Sequence, residues 1–223
     1  MRRPELLELL AGLLIERRPP HPLRVAIDGP DAAGKTMLAD ELAERLARER
    51  PVIRASVDGF HNPRELRLRR GETSPEGYYL DSFDYEALRT CLFEPLGPGG
   101  SRLFRRSTFD YRTEQAVASP VEEAAPGSVL LFDGVFLLRP ELFAYWDVTI
   151  FVHADFDEIV RRAETRDQEQ MGGVENVRDR YRKRYIPGQQ LYFERCAPQQ
   201  KADIVLDNTD PAEPKLVRFP SSA

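Results

Sequence analysis

The stretch Gly29-Pro30-Asp31-Ala32-Ala33-Gly34-Lys35-Thr36 fits the G-x-x-x-x-G-K-S/T phosphate-binding pattern at every fixed position. In that pattern glycines let the backbone turn tightly and point its N–H groups inward, the lysine reaches the β- and γ-phosphates, and the hydroxyl can ligate Mg²⁺. The flanks suit such a loop. Leu23 to Asp28 is a β-rich run directly before it, and Leu38, Leu42 and Leu46 recur after it at helical spacing. The loop thus opens a helix, whose N-terminal dipole favours an anion. Gly29, Asp31, Ala32, Ala33, Gly34, Lys35, Thr36 and the next residue, Met37, form the expected ATP-contacting set.

A chain of 223 residues is long enough to bury a substantial core as one domain. The net charge of −5 gives no pull toward nucleic acid or an anionic membrane, so neither is expected as a partner. Cys91 and Cys196 form no metal or redox pattern, which fits a reducing cytoplasm. Met1-Arg2-Arg3 before a run of leucines has the outline of a secretion signal. Glu5 and Glu8 argue against it, as do the helical spacing of Leu6, Leu9, Leu10, Leu13 and Leu14 and the lack of a small-residue cleavage site. The reading is an amphipathic helix stopped by Pro19-Pro20, and a cytoplasmic protein.

Further strands are expected at Pro51 to Val57, Ser128 to Gly134, Asp147 to Val152 and Ala202 to Asp207, with helices between them. Such alternation gives a three-layer α/β fold with a mostly parallel central sheet. Two strands run into acids, Asp58 and Asp133, where open α/β sheets hold their ligands. Asn62 to Phe83 is polar, arginine-rich and too long for a mere connector, which assigns it to the acceptor side. Asp84 to Leu92 reads as a short capped helix, Arg102 to Tyr111 as a strand or hairpin, Asp157 to Arg166 as a helix, and Arg178 to Tyr185 as a basic helix. The segment from Asn208 onward reads as a proline-bearing tail.

Phosphoryl transfer to a hydroxyl needs a clamp on the phosphates and a carboxylate that takes the nucleophile's proton. Asp58 and Asp133 are the candidates, and Thr36, Asp58 and Asp133 form the expected Mg²⁺ set. No Asn-Lys-x-Asp guanine-reading motif appears, which counts against a GTPase.

In this light the chain resembles the uridine kinase-like P-loop kinases, a group that includes phosphoribulokinase and bacterial pantothenate kinase. Five segments carry the resemblance in order: Gly29 to Thr36, Asp58-Gly59-Phe60-His61, Leu80-Asp81-Ser82-Phe83-Asp84, Val129 to Gly134, and Phe151 to Asp167 with its Arg-Arg-x-x-x-Arg-Asp helix. The resemblance implies a P-loop NTPase fold with a helical lid and transfer of the ATP γ-phosphoryl group to a primary hydroxyl. Asp58 would be the base, with Lys35 and Arg166 on the phosphates. Asp81 would hold the acceptor's hydroxyls, with Phe60, His61, Phe109 and Arg162 beside it. Asn208 would border the adenine. The plainer alternatives are that Asp81 caps the next helix and that Arg166 pairs with Asp167.

Departures from the family pattern bear on the acceptor. Met171-Gly172-Gly173 stands where the lid carries Arg-Gly-Arg. Phe109-Asp110-Tyr111 replaces Tyr-Asp-Phe, Glu114 falls where a histidine would, and Ala163 stands for an arginine. These departures count against uridine itself; the resemblance implies the 5′-hydroxyl of a nucleoside, uridine or cytidine, as first acceptor, with pantothenate, a sugar or a ribose-containing precursor as alternatives. A nucleotide-binding regulator without turnover is the reading from another class. The expected map is one kinase domain over 1–223. It comprises an N-terminal helix at 1–20, acceptor-side insertions at 59–83 and 101–120, a lid region at 166–190 and a tail at 208–223, with a homo-oligomer left open.

Overall fold

The computed structural model describes residues 1–220. A six-stranded sheet runs in the spatial order Lys215–Arg218, Ile204–Asp207, Val148–His153, Leu23–Asp28, Val129–Gly134, Val52–Ser56. All pairings are parallel except that of Lys215–Arg218 with Ile204–Asp207. Leu23–Asp28 and Val129–Gly134 are buried along their whole length, as continuous apolar strands covered on both faces must be. The antiparallel edge strand corrects the reading of 208–223 as a plain tail. Four residues with a charge at each end carry no apolar run, and only the register against Asp207 and Leu206 makes them a strand.

Helices cover both faces. On one, Arg3–Glu16 and Lys35–Leu46 pack with Ile159 and Ala163 of Phe156–Met171. On the other, Phe60, Phe93, Phe132, Phe136, Trp146 and Tyr192 form an aromatic core. The N-terminal helix buries Leu6, Leu7, Leu10, Ala11 and Leu14. Leu9, expected inside, is 37% exposed, and Leu7 takes its place. Arg50 fixes the end of this helix by donating to the carbonyls of Leu14 (2.9 Å) and Arg17 (2.8 Å).

The segments expected on the acceptor side have more structure than their composition indicates. Residues 57–83 hold a 3₁₀ turn, Val57–Phe60, and the helices Arg64–Arg67 and Pro75–Asp81, the latter capped by the Ser74 hydroxyl. Between 101 and 123 two short ladders form, Leu103–Phe104 with Glu122–Glu123 and Phe109–Asp110 with Gln115–Ala116. The helix expected from Asp84 begins at Tyr85, with the Asp84 side chain accepting from the Ala87 N–H (2.9 Å). The helix Phe156–Met171 stops at Gly172, whose φ of +76° ends the helical ladder, and Val174–Arg180 follows. The chain then continues through a π-turn at Tyr181–Tyr185 into Ile186–Cys196. No helix among the described residues is long and apolar enough to cross a membrane.

Candidate active site

The phosphate-binding loop leaves Leu23–Asp28 and enters Lys35–Leu46 through two closely packed glycines. A Cβ on Gly29 would lie 2.1 Å from the Val152 carbonyl oxygen, and one on Gly34 would lie 2.5 Å from the Asn208 side chain. Both glycines also have φ in the left-handed half of the map, at +148° and +94°. Lys35 reaches back across the loop and donates to the Pro30 carbonyl at 2.6 Å. Burial pushes its ammonium pKa down, and the carboxylates of Asp31, Asp28 and Asp133 push it back.

Asp133, at the end of its strand, accepts from the Thr36 hydroxyl (2.7 Å) and pairs with Arg54 (3.0 Å). Asp58 lies on the 3₁₀ turn after Val52–Ser56, with the Ser56 hydroxyl accepting from its N–H. Its surface is open to the cavity, yet the enclosing walls remove enough water to hold its carboxyl above the ordinary value. The negative charges of Asp31 and Asp133 act in the same direction, and the positive charges of His61 and Lys35 oppose it.

These residues share one cavity of about 890 Å³. Asp31, Lys35 and Thr36 lie on its floor, Asp58 and Asp133 beside them, and Arg166, Arg180 and Tyr181 come from the lid. Across the acceptor side, His61 packs between Phe83 and Tyr111, each ring centroid 4.6 Å away. The His61 Nδ1 lies 3.0 Å from the Asp58 carbonyl, and burial holds the imidazole pKa below its ordinary value. Arg166 pairs with Asp167 (2.6 Å) and also donates to the Tyr181 hydroxyl (3.2 Å), so the plainer pairing and the cavity position hold together.

Several expected site residues stand elsewhere. Phe60 is fully buried against Phe132, since the 3₁₀ turn points it into the aromatic core. Phe109 is held in its ladder, and Tyr111 lines the cavity instead. Asp81 is buried beneath Arg69 and Arg70 and does not line the cavity. Burial alone would raise its pKa, but the two guanidinium groups reverse that and hold it low. Arg162 is turned from the acceptor: it donates to the carbonyls of Ala32 (3.2 Å), Asn208 (2.8 Å) and Thr209 (2.9 Å), pinning the loop. Asn208 supports the loop from behind, its side-chain amide donating to the Ala33 carbonyl at 2.7 Å. Met37 is 62% exposed on the helix surface and does not line the cavity.

Other residues escaped the sequence reading. Asp28, wholly buried, accepts from the Tyr192 hydroxyl (2.6 Å) and the Leu137 N–H (3.2 Å), and burial holds its carboxyl above the usual range. Its position as the last strand residue before the loop was the available signal. Tyr78 (2.6 Å) and Gln189 (2.7 Å) escaped that reading too: both donate to Asp31 of the expected ATP-contacting set from 47 and 158 positions away, which no local pattern reveals.

The cytidylate kinase-like family model matches residues 24–210. Uridine kinase-like protein 3 of Arabidopsis thaliana is 26% identical over 188 residues, 83% of this chain and 39% of its own length. The chain thus spans well under half of that relative. Uridine-cytidine kinase B of Dictyostelium discoideum is 27% identical over 188 residues, covering 83% of this chain and 74% of its own. A solved structure described as a possible uridine kinase from Bacillus stearothermophilus superposes with a TM-score of 0.72 at 21% identity, over 90% of this chain and 97% of the other. The chain belongs to the cytidylate kinase-like family.

Proposed function

We propose that this protein transfers the γ-phosphoryl group of ATP to a primary hydroxyl of a small metabolite, with the 5′-hydroxyl of a nucleoside the acceptor its relatives point to. The observation that carries this is the convergence of Lys35, the Thr36–Asp133 pair and Asp58 on one cavity. Asp58 takes the acceptor's proton while the acceptor oxygen bonds the γ-phosphorus. The bond from γ-phosphorus to its bridging oxygen breaks, and ADP leaves with that electron pair. Lys35 and Arg166 hold the phosphates. The segments 59–83 and 101–120 form the acceptor wall, and 166–190 forms the lid.

Thr36, Asp133 and Asp58 would hold Mg²⁺. Among the described residues there is no group of three or more His, Cys, Asp or Glu side chains fit for a metal. That suits Mg²⁺, which is held by one or two carboxylates together with phosphate oxygens and waters. Bound there, the ion neutralises negative charge on the phosphates.

A second acceptor class, a hydroxylated metabolite other than a nucleoside, is favoured by Glu114 and Arg67 on the acceptor wall. The test is Mg²⁺-dependent ADP release with a panel of nucleosides, sugars and pantothenate. Stimulation by one class supports the reading. Tight Mg-ATP binding with no stimulation by any acceptor would favour a non-catalytic nucleotide-binding regulator.

A further inference from the structure

The cationic and carboxylate side chains that line the cavity balance in number, but its arginines are unevenly paired. Arg64 pairs with Glu72 (2.7 Å) and Arg67 with Glu114, whereas Arg112, Arg180 and Arg184 have no carboxylate partner among the described residues. Arg184 is buried and donates only to carbonyls: those of Gly71, Glu72 and Ser74 through one nitrogen and that of Arg67 (3.2 Å) through another. It therefore pins a full positive charge directly behind Arg67. Burial presses its pKa down, and the nearby Arg180 and Arg67 press the same way.

Arg67 itself is incompletely satisfied. Its Nε is buried and has no hydrogen-bond partner, while one terminal nitrogen is held by Glu114. Glu114 in turn accepts from the Arg64 backbone N–H (3.0 Å) and sits at a left-handed φ of +55°. A buried guanidinium N–H without a partner is costly, and a planar oxyanion satisfies two guanidinium donors at once. The position fits a substrate's far end. The wall runs from Asp58 through His61, bonded to its carbonyl, to Arg67 and Glu114, whose charges act on the same imidazole.

We propose that the acceptor carries an anionic group, a carboxylate or a phosphate ester, remote from its reacting hydroxyl, and that Arg67 binds this group in the field of Arg184 while Glu114 competes for Arg67. The proposal rests on the kinase reading and narrows its acceptor class. A neutral acceptor leaves the Arg67–Glu114 pair unchanged.

The test is calorimetric titration of the full-length chain with Mg²⁺ and a non-hydrolysable ATP analogue, using probes matched except for charge. Suitable pairs are uridine 3′-phosphate against uridine, pantothenate against pantothenyl alcohol, and glycerate against glycerol. A charge-assisted pair predicts that an anionic probe binds roughly 10- to 100-fold more tightly than its neutral partner. Arg67→Gln should abolish that preference and Arg67→Lys should retain part of it. Glu114→Gln, which frees Arg67, should strengthen anion binding severalfold, an effect a purely structural pair would not give. The pair that responds separates carboxylate from phosphate. If no anionic probe outbinds its neutral partner, or if the preference survives Arg67→Gln, the proposal is overturned. Because binding is read without turnover, failure of the kinase reading appears separately, as absence of phosphoryl transfer to any bound probe.

Discussion

The Thr36 hydroxyl donates to the Asp133 carboxylate across 2.7 Å, joining residues 97 positions apart. Parallel pairing makes the contact. Leu23–Asp28 and Val129–Gly134 are neighbours in register, Ile27 opposite Asp133, so the loop leaving one strand passes over the end of the other. Thr36→Val removes the hydroxyl and leaves Asp133 paired only with Arg54. It should raise the Mg²⁺ concentration needed for half-maximal activity about tenfold or more while changing thermal stability little, as a metal titration of ADP release would show. An unchanged Mg²⁺ dependence would remove Thr36 from the metal set.

Arg162 ties the loop to the end of Ile204–Asp207 through three carbonyls. Arg162→Ala strands those acceptors in a part-buried position, at a cost of about 1–3 kcal/mol. For a chain of this size each kcal/mol is worth roughly 2–4 °C in Tm. The variant should therefore melt several degrees lower and show a raised KM for ATP, with acceptor KM nearly unchanged. An effect confined to acceptor KM would instead put Arg162 on the substrate.

Tyr192 holds the buried Asp28 carboxylate and in turn accepts from the Leu138 N–H (2.9 Å). Tyr192→Phe leaves both groups short of a partner, and the expected loss is again about 1–3 kcal/mol. Thermal melting measures it directly. A variant as stable as the parent would mean that the Tyr192–Asp28 hydrogen bond adds nothing to stability.

Gly29→Ala should be the most damaging single change in the loop. Its Cβ meets a backbone carbonyl of the neighbouring strand, so no side chain can move aside. Mg-ATP affinity should fall at least tenfold and Tm should drop. Unaltered nucleotide binding would contradict the loop geometry.

The sheet and the loop were legible because they rest on local signals. Continuous apolar runs mark Val129–Gly134 and Val148–His153, and glycine spacing marks the turn. The acceptor wall was not legible in the same way. Tyr78, Arg67 and Gln189 reach the site or its loop through contacts between distant segments, and a polar segment such as 59–83 hides its two helices because each is too short, at four and seven residues, to show a helical period. Motif position alone put Asp81 and Phe60 at the substrate. The first is held by two adjacent arginines, and the second is turned inward by the 3₁₀ turn that presents Asp58.

The most direct test of the central claim is transfer of the labelled γ-phosphate of ATP to a hydroxylated acceptor, compared between the parent chain and Asp58→Asn. Loss of a general base costs about 10²- to 10⁴-fold in rate. The expected result is labelled phosphomonoester from the parent, a fall of that size in the variant, and ATP affinity within a few-fold of the parent. Equal transfer by both proteins, or loss of ATP binding in place of turnover, would contradict the role assigned to Asp58.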